Sequence, residues 1–333
     1  MNLLNWQEPI WENLWQPGIE RFPHALLLVG NAGIGKLAFA KALSQSLLCQ
    51  HRSGANQPCG ECSACHFFQQ NAHPDFRLVA PQADEESQDS VEAKEKKASE
   101  LITIHQIREL GEFVSLTSHQ NGHRVILITK AEQLNLNAAN ALLKMLEEPP
   151  PQTIFVLVAN HLSRILPTIR SRCRLLKMPM PSPAQASAWL SAQQCPEPDL
   201  NLALAGRAPL DALANGENSE WQAQRKRFCD VLARSTEGDA ISLAESVLKI
   251  APVTVLGWLQ TWIYDLVSLK ITQENRYHLD QSKVQINLNK NFRLIELLNF
   301  NSELNAAKRL IHHPLNPKLF WEFLFIKYFK LFS

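Results

Sequence analysis

Residues 24 to 37 read His24-Ala25-Leu26-Leu27-Leu28-Val29-Gly30-Asn31-Ala32-Gly33-Ile34-Gly35-Lys36-Leu37. The first six form a short apolar run that predicts a buried strand breaking at Gly30. From Leu37 to Leu48 apolar residues recur at three- and four-residue spacing, which predicts a helix. Between the two lies the G-x4-G-K frame of a phosphate-binding loop, in the strand-loop-helix setting its chemistry requires. Gly30, Gly33 and Gly35 allow backbone N–H groups to wrap an anion, the helix N-terminus adds positive potential, and Lys36 reaches the outer phosphates. The frame fails at its last position. A Ser or Thr hydroxyl should ligate Mg2+ there, and Leu37 has no oxygen.

The partner of such a loop is an acidic residue at the end of another sheet strand, where it holds magnesium and positions the attacking water. The next candidate strand, Arg124 to Ile128, ends in Thr129-Lys130. Thr129 carries no charge, and Lys130 places a cation where the metal belongs. Glu132, two positions on, reads as a solvated residue at a helix start. The two defects, Leu37 and Thr129-Lys130, both remove metal handling, so a phosphate-loop fold is expected without its reaction.

The wider chain fits a domain of this kind followed by something different. Further strands are expected at Phe76 to Val79 and Thr153 to Val158, alternating with helices, which is the pattern of a parallel sheet with crossovers. Thr103 and Gln106 form a capping box for a helix carrying Ile104, Ile107, Leu110 and Val114 on one face. Asn137 to Glu148 is a helix stopped by Pro149, Pro150 and Pro151. The charged run at 83–99 is expected to be a mobile surface loop. Past Arg174 strand signals fade, and PMPSP at 179–183 marks a hinge. A small helical segment to about Leu213 and a longer helical region from Trp221 complete an α/β then all-α fold. The aromatic finish, Leu319 to Phe329, is too short and too interrupted by Glu322 and Lys327 to span a membrane, so a buried helix at a core or subunit interface is expected.

The 333 residues imply two or three domains at roughly 100 to 200 residues each. Lacking a membrane span or a basic and apolar leader, the chain is expected to be soluble and cytoplasmic. Lys and Arg total 33 against 32 Asp and Glu, a net charge of +1, which argues against a protein that grips nucleic acid alone. Four of seven cysteines, Cys49, Cys59, Cys62 and Cys65, make C-x9-C-x2-C-x2-C. Four thiolates at this spacing can complete the tetrahedron of structural zinc, unless His66 or His73 replaces one of them. With every position filled by protein, such an ion is a staple, not a reaction centre. The flanks hold one arginine, Arg52, so a DNA-reading zinc module is not expected. Finally, Ile169-Arg170-Ser171-Arg172-Cys173-Arg174 is either a solvated basic patch or an arginine aimed at a neighbouring subunit's phosphoryl site.

Taken with HPDF at 73–76, ITIHQIREL at 102–110, NAANALLKMLEEPP at 137–150 and SRC at 171–173, these strings resemble the clamp-loader subunits of the AAA+ ATPases, of the bacterial DNA polymerase III kind. The match covers at least residues 22–178, and Leu-Asn-Pro-Lys-Leu at 315–319 resembles the start of the last helix of such subunits. The resemblance implies an AAA+ domain at 1–178 with a zinc insertion at about 49–66, a helical lid at 179–213 and a helical collar at 214–333. It makes Arg172 a trans-acting arginine finger and Asn160 the polar residue that senses the third phosphate in active relatives. It also implies Asp-Glu in hydrolysing members where this chain has Thr129-Lys130, and Ser or Thr where it has Leu37. A sensing arginine of the lid falls on Leu210 or Arg207. The partners implied are motor (gamma/tau) and delta subunits in a hetero-pentameric ring, and through that ring a sliding clamp and primer-template DNA, with ATP bound in the neighbouring subunits. Two readings follow: a non-hydrolysing structural subunit, or an active motor-type ATPase using Lys36 and Glu132.

Overall fold

The computed structural model describes residues 3–82, 100–115, 122–234, 239–311 and 316–332; the charged run at 83–99 lies outside them. The chain divides into two compact units, Met1–Pro181 and Ser182–Ser333.

The first unit is built on five parallel strands: β1 (Ala25–Val29), β2 (Phe76–Val79), β3 (Arg124–Ile128), β4 (Thr153–Ala159) and β5 (Arg174–Lys177), in the spatial order β2-β3-β4-β1-β5. The central strands read as continuous apolar runs because both of their faces are covered. All five residues of β3 and all seven of β4 are buried. Alternate side chains feed opposite cores. Leu26, Leu28, Val125, Leu127 and Val156 pack against α1 (Glu8–Trp15) and α2 (Lys36–Leu48) through Trp11, Leu14, Phe39 and Leu43. Leu27, Ile126, Ile128, Phe155 and Leu157 face α4 (Ile104–Ser115) and α5 (Leu136–Glu147), through Ile107, Leu110, Leu142 and Leu146. Between them in sequence, the seven-residue α3 (Ser63–Gln69) follows the cysteine cluster.

Helix ends follow from local chemistry. The Gln106 side chain accepts the Thr103 backbone N–H at 3.0 Å, one half of the expected capping box. Asn135 Oδ1 accepts the Ala138 N–H at 2.8 Å to start α5, and the prolines at 149–151 end it. One expectation needs correcting: strand character does not stop at Arg174. Residues 174–177 pair with β1 as the edge strand β5. Only Leu176 of its four residues is buried, so neither an apolar run nor an alternation marks it in the sequence.

Among its described residues the second unit's regular structure is all helical, so the α/β then all-α expectation holds. Three short helices, α7 (Pro183–Ala192), α8 (Pro198–Leu204) and α9 (Pro209–Glu217), each begin with proline, whose missing N–H costs nothing in a first turn. They share a small cluster of Ala186, Leu190, Cys195, Leu202 and Ala212. A larger core joins α10 (Ser219–Leu232), α11 (Asp239–Ser246), α12 (Pro252–Ile271), α13 (Ser282–Leu288), α14 (Leu294–Leu310) and α15 (Pro317–Phe329). The aromatic tail is α15. Trp321, Phe325, Tyr328 and Phe329 are buried, while Leu319 and Phe323 are exposed. Among the described residues no helix is long and apolar enough to cross a membrane.

A buried polar knot pins the loop after α12. Asp265 accepts the backbone N–H groups of Arg276 at 2.8 Å and His278 at 2.7 Å. Arg225 grips Asp280 at 2.7 Å and lies 3.3 Å from His278 Nδ1, while Thr261 Oγ1 is 3.0 Å from His278 Nε2. Burial, then the Arg225 cation, pushes the His278 pKa from 6.5 down to about 3. The ring is therefore neutral in the fold, whereas the unfolded chain takes up its proton below pH 6.5. Between those values the unfolded state binds more protons, so this contribution is complete above pH 6.5 and is lost as pH falls toward 3. Urea unfolding of the full chain should show His278→Gln removing up to about 1.4 kcal/mol per pH unit of slope in that window. An unchanged slope would show that His278 is not the titrating group.

Candidate functional site

The phosphate-loop frame sits at the C-terminal end of β1, between β4 and β5, where ligands of open parallel sheets are held. Its glycines answer to space as well as conformation. A Cβ on Gly30 would lie 2.8 Å from Ile34 Cδ1 and 3.2 Å from the Met178 carbonyl, and Gly35 has φ +91°, with Leu4 Cδ1 2.3 Å from where its Cβ would stand. The outer side of the loop is braced by a segment that no local pattern in the sequence singles out. Trp6 Nε1 donates to the Ile34 carbonyl at 3.1 Å, and Gln7 Nε2 donates to the Gly35 carbonyl at 3.0 Å. Lys36 is 5% exposed, and its ammonium donates to the Asn31 carbonyl of the same loop. Leu37 is 42% exposed, an apolar side chain where a metal-binding hydroxyl would stand.

The end of β3 offers no metal ligand at the expected position. The Thr129 backbone N–H donates to the Val79 carbonyl at 2.9 Å, with the hydroxyl 3.4 Å from the same oxygen. Lys130 follows in a left-handed backbone at φ 47°. Glu132 departs from expectation: it is not solvated but half-buried, and its Oε1 accepts the Asn160 backbone N–H at 3.0 Å. Its role is to tie the end of β4 to the turn after β3, a long-range contact invisible from its neighbours in sequence. Glu132 Oε2 is buried without a protein partner among the described residues.

Arg172 lies in the turn between α6 (Pro167–Arg170) and β5. Its guanidinium donates to the Thr168 carbonyl at 2.9 Å and lies 3.3 Å from Ser171 Oγ. On its other side it meets Glu147 Oε1, on the last residue of α5, at 2.5 Å. Arg170 and Arg174 are exposed to solvent. Burial pushes the Cys173 thiol up to about 11, which leaves it inert at neutral pH. In the second unit, Arg207 (φ 69°) lines a cleft with Tyr264, Arg276 and Tyr277, and Leu210 lies in the first turn of α9.

The four spaced cysteines converge. Cys49, Cys59, Cys62 and Cys65 place their sulfurs within 4.8 Å of one another, with separations of 3.5 Å, 3.9 Å and 4.0 Å among them. A tetrahedral ZnS4 centre with bonds of about 2.3 Å needs sulfurs about 3.8 Å apart, so the donor set fits a metal ion. Backbone N–H groups of Cys62 and Cys65 already point at the sulfurs of Cys59 and Cys62. Burial opposes ionisation of Cys62, but hydrogen bonds from the backbones of Cys65 and Gln50 outweigh it and bring the thiol to about 6. Neither histidine competes for the site. His73 Nδ1 accepts the Asp75 N–H at 3.1 Å, and His66 is exposed.

Comparison with known proteins finds matches along most of the chain. A family model described as DNA polymerase III, delta subunit, matches residues 9–182, and another for its C-terminal region matches residues 219–328. The DNA polymerase III subunit delta' of Pseudomonas aeruginosa is 35% identical over 275 residues, covering 81% of this chain and 78% of that one. This chain belongs to the DNA polymerase III delta-prime family. The Escherichia coli family member is 36% identical over 267 residues, 78% of this chain and 75% of its own. Among solved structures, a Thermotoga maritima protein related to the DNA polymerase III gamma subunit aligns over 98% of this chain and 100% of its own, with a TM-score of 0.49 and 17% identity.

Proposed function

We propose that this member of the family is a non-hydrolysing structural subunit of the bacterial DNA polymerase III clamp loader. In this reading it joins motor (gamma/tau) and delta subunits in a hetero-pentameric ring, and Arg172 enters a neighbour's ATP site. The ring then places a sliding clamp on primer-template DNA. The AAA+ domain spans 1–178, a lid 179–213 and a collar 214–333.

The observation that carries this reading is the division of chemistry within one domain. The G-x4-G-K frame that would hold phosphate is kept in the sequence, yet the positions that handle magnesium are Leu37, Thr129 and Lys130. A phosphoryl transfer site without its metal loses the charge that balances the leaving and attacking oxygens. Arg172, by contrast, keeps a planar donor fork on a turn at the protein surface, a group suited to charge developing on a phosphoryl group. The alternative, an active motor-type ATPase with Glu132 as its acid, is weakened because Glu132 is half-buried, with Oε1 accepting the Asn160 N–H and Oε2 shut away from solvent. Nucleotide at Gly30, Gly33, Gly35 and Lys36 is then weakly held or absent.

The cysteine cluster is assigned structural Zn2+, held by Cys49, Cys59, Cys62 and Cys65 and leaving no open coordination position for chemistry. Its work is to close the insertion between α2 and β2. Native mass spectrometry should find one zinc per folded chain, and Cys62→Ser together with Cys65→Ser should abolish it; a folded chain that binds no zinc would refute the assignment. In the reconstituted complex, Arg172→Ala should preserve assembly and depress overall ATP turnover and clamp loading, with turnover at the one neighbouring site lowered by about 10³-fold or more, the scale of arginine fingers elsewhere. Unaltered turnover would remove Arg172 from the neighbour's site.

A further inference from the structure

We infer that Glu147 is a positioning residue for Arg172, holding its guanidinium presented before a neighbour's phosphate arrives. This rests on the reading of Arg172 as the finger.

The string LEEPP, part of the run at 137–150, ends α5 beside the turn that carries Arg172, and the proposed function so far gives it no work. The prolines stop the helix just after Glu147, so its carboxylate lies in the last turn, at the negative end of the helix dipole. A carboxylate there is disfavoured unless a cation stands beside it, and Arg172 NH2 supplies one at 2.5 Å. The other terminal nitrogen, NH1, is held by the Thr168 carbonyl at 2.9 Å and lies near Ser171 Oγ, whose own hydroxyl donates to Thr168. Three contacts from two chain segments thus fix the plane of a side chain that would otherwise sample many rotamers.

The pair cannot act as a lock. Arg172 and Glu147 are 34% and 49% exposed, and ion pairs in that setting are weak and screened. A triphosphate, with several negative charges in a drier site, outcompetes one exposed carboxylate. Glu147 therefore contributes order, and its removal leaves the guanidinium present but less often aimed. Ser171 contributes in the same way, its hydroxyl completing the cradle around the guanidinium.

The test uses the reconstituted complex. Glu147→Gln keeps the shape and removes the charge, and Glu147→Ala removes both. Each should lower kcat at the ATP site that Arg172 enters about two- to fivefold, the rate equivalent of an exposed ion pair, with KM unchanged. In an Arg172→Ala background neither should lower it further. A kcat that is unchanged or raised, or that falls equally without Arg172, overturns the inference. If Arg172→Ala alone has no effect, the finger reading falls and this one falls with it; if Arg172→Ala is damaging and Glu147→Gln is silent, only the role of Glu147 is lost.

Discussion

Space at the end of β1 constrains everything else in the first unit. β1 runs between β4 and β5, so the chain leaving it has to turn against two neighbours at once. At Gly30 a Cβ would crowd the carbonyl of Met178, just past β5, and the Ile34 side chain, and at Gly35 the backbone is left-handed with Leu4 and Gln7 pressed upon it. Those contacts dictate the loop's shape from the protein side. Packing and the donors of Trp6 and Gln7 therefore hold this loop from within the protein.

In the proposed reading, that constraint separates the fold from the reaction. Magnesium chemistry needs oxygen ligands at two points that contribute little to packing, the residue after the lysine and the end of a neighbouring strand. Leu37 is largely exposed, and Thr129 is absorbed into the contact between β2 and β3. Exchanging these residues costs the sheet little, whereas changing Gly30 or Gly35 would disturb it. The groups in the turn before β5 obey a different logic. Arg172 stands clear of the core, in contact with Thr168, Ser171 and Glu147, and in the proposed reading those contacts set its direction.

Much of this was legible in the residues. β1, β3 and β4 announce themselves as apolar runs because they are covered on both faces. The cysteine spacing announces a convergent site because four sulfurs have one geometry to satisfy. What stayed hidden depends on distance along the chain. β5 is a strand only through its hydrogen bonds to β1, with one buried residue in four. Glu132 reads as a solvated helix start until β4 brings the Asn160 N–H to it. The brace from Trp6 and Gln7 spans nearly thirty positions, and no periodicity records it. The polar knot around His278 likewise joins α10, α12 and the loop after it, which no local motif connects.

In the proposed reading the chain retains a phosphate-loop domain and lacks magnesium-dependent hydrolysis. The most direct measurement is ATP turnover by the purified chain alone, with and without Mg2+, beside Lys36→Ala. Turnover should stay at background in all cases, with no response to magnesium. Hydrolysis that requires Mg2+ and disappears in Lys36→Ala would contradict it.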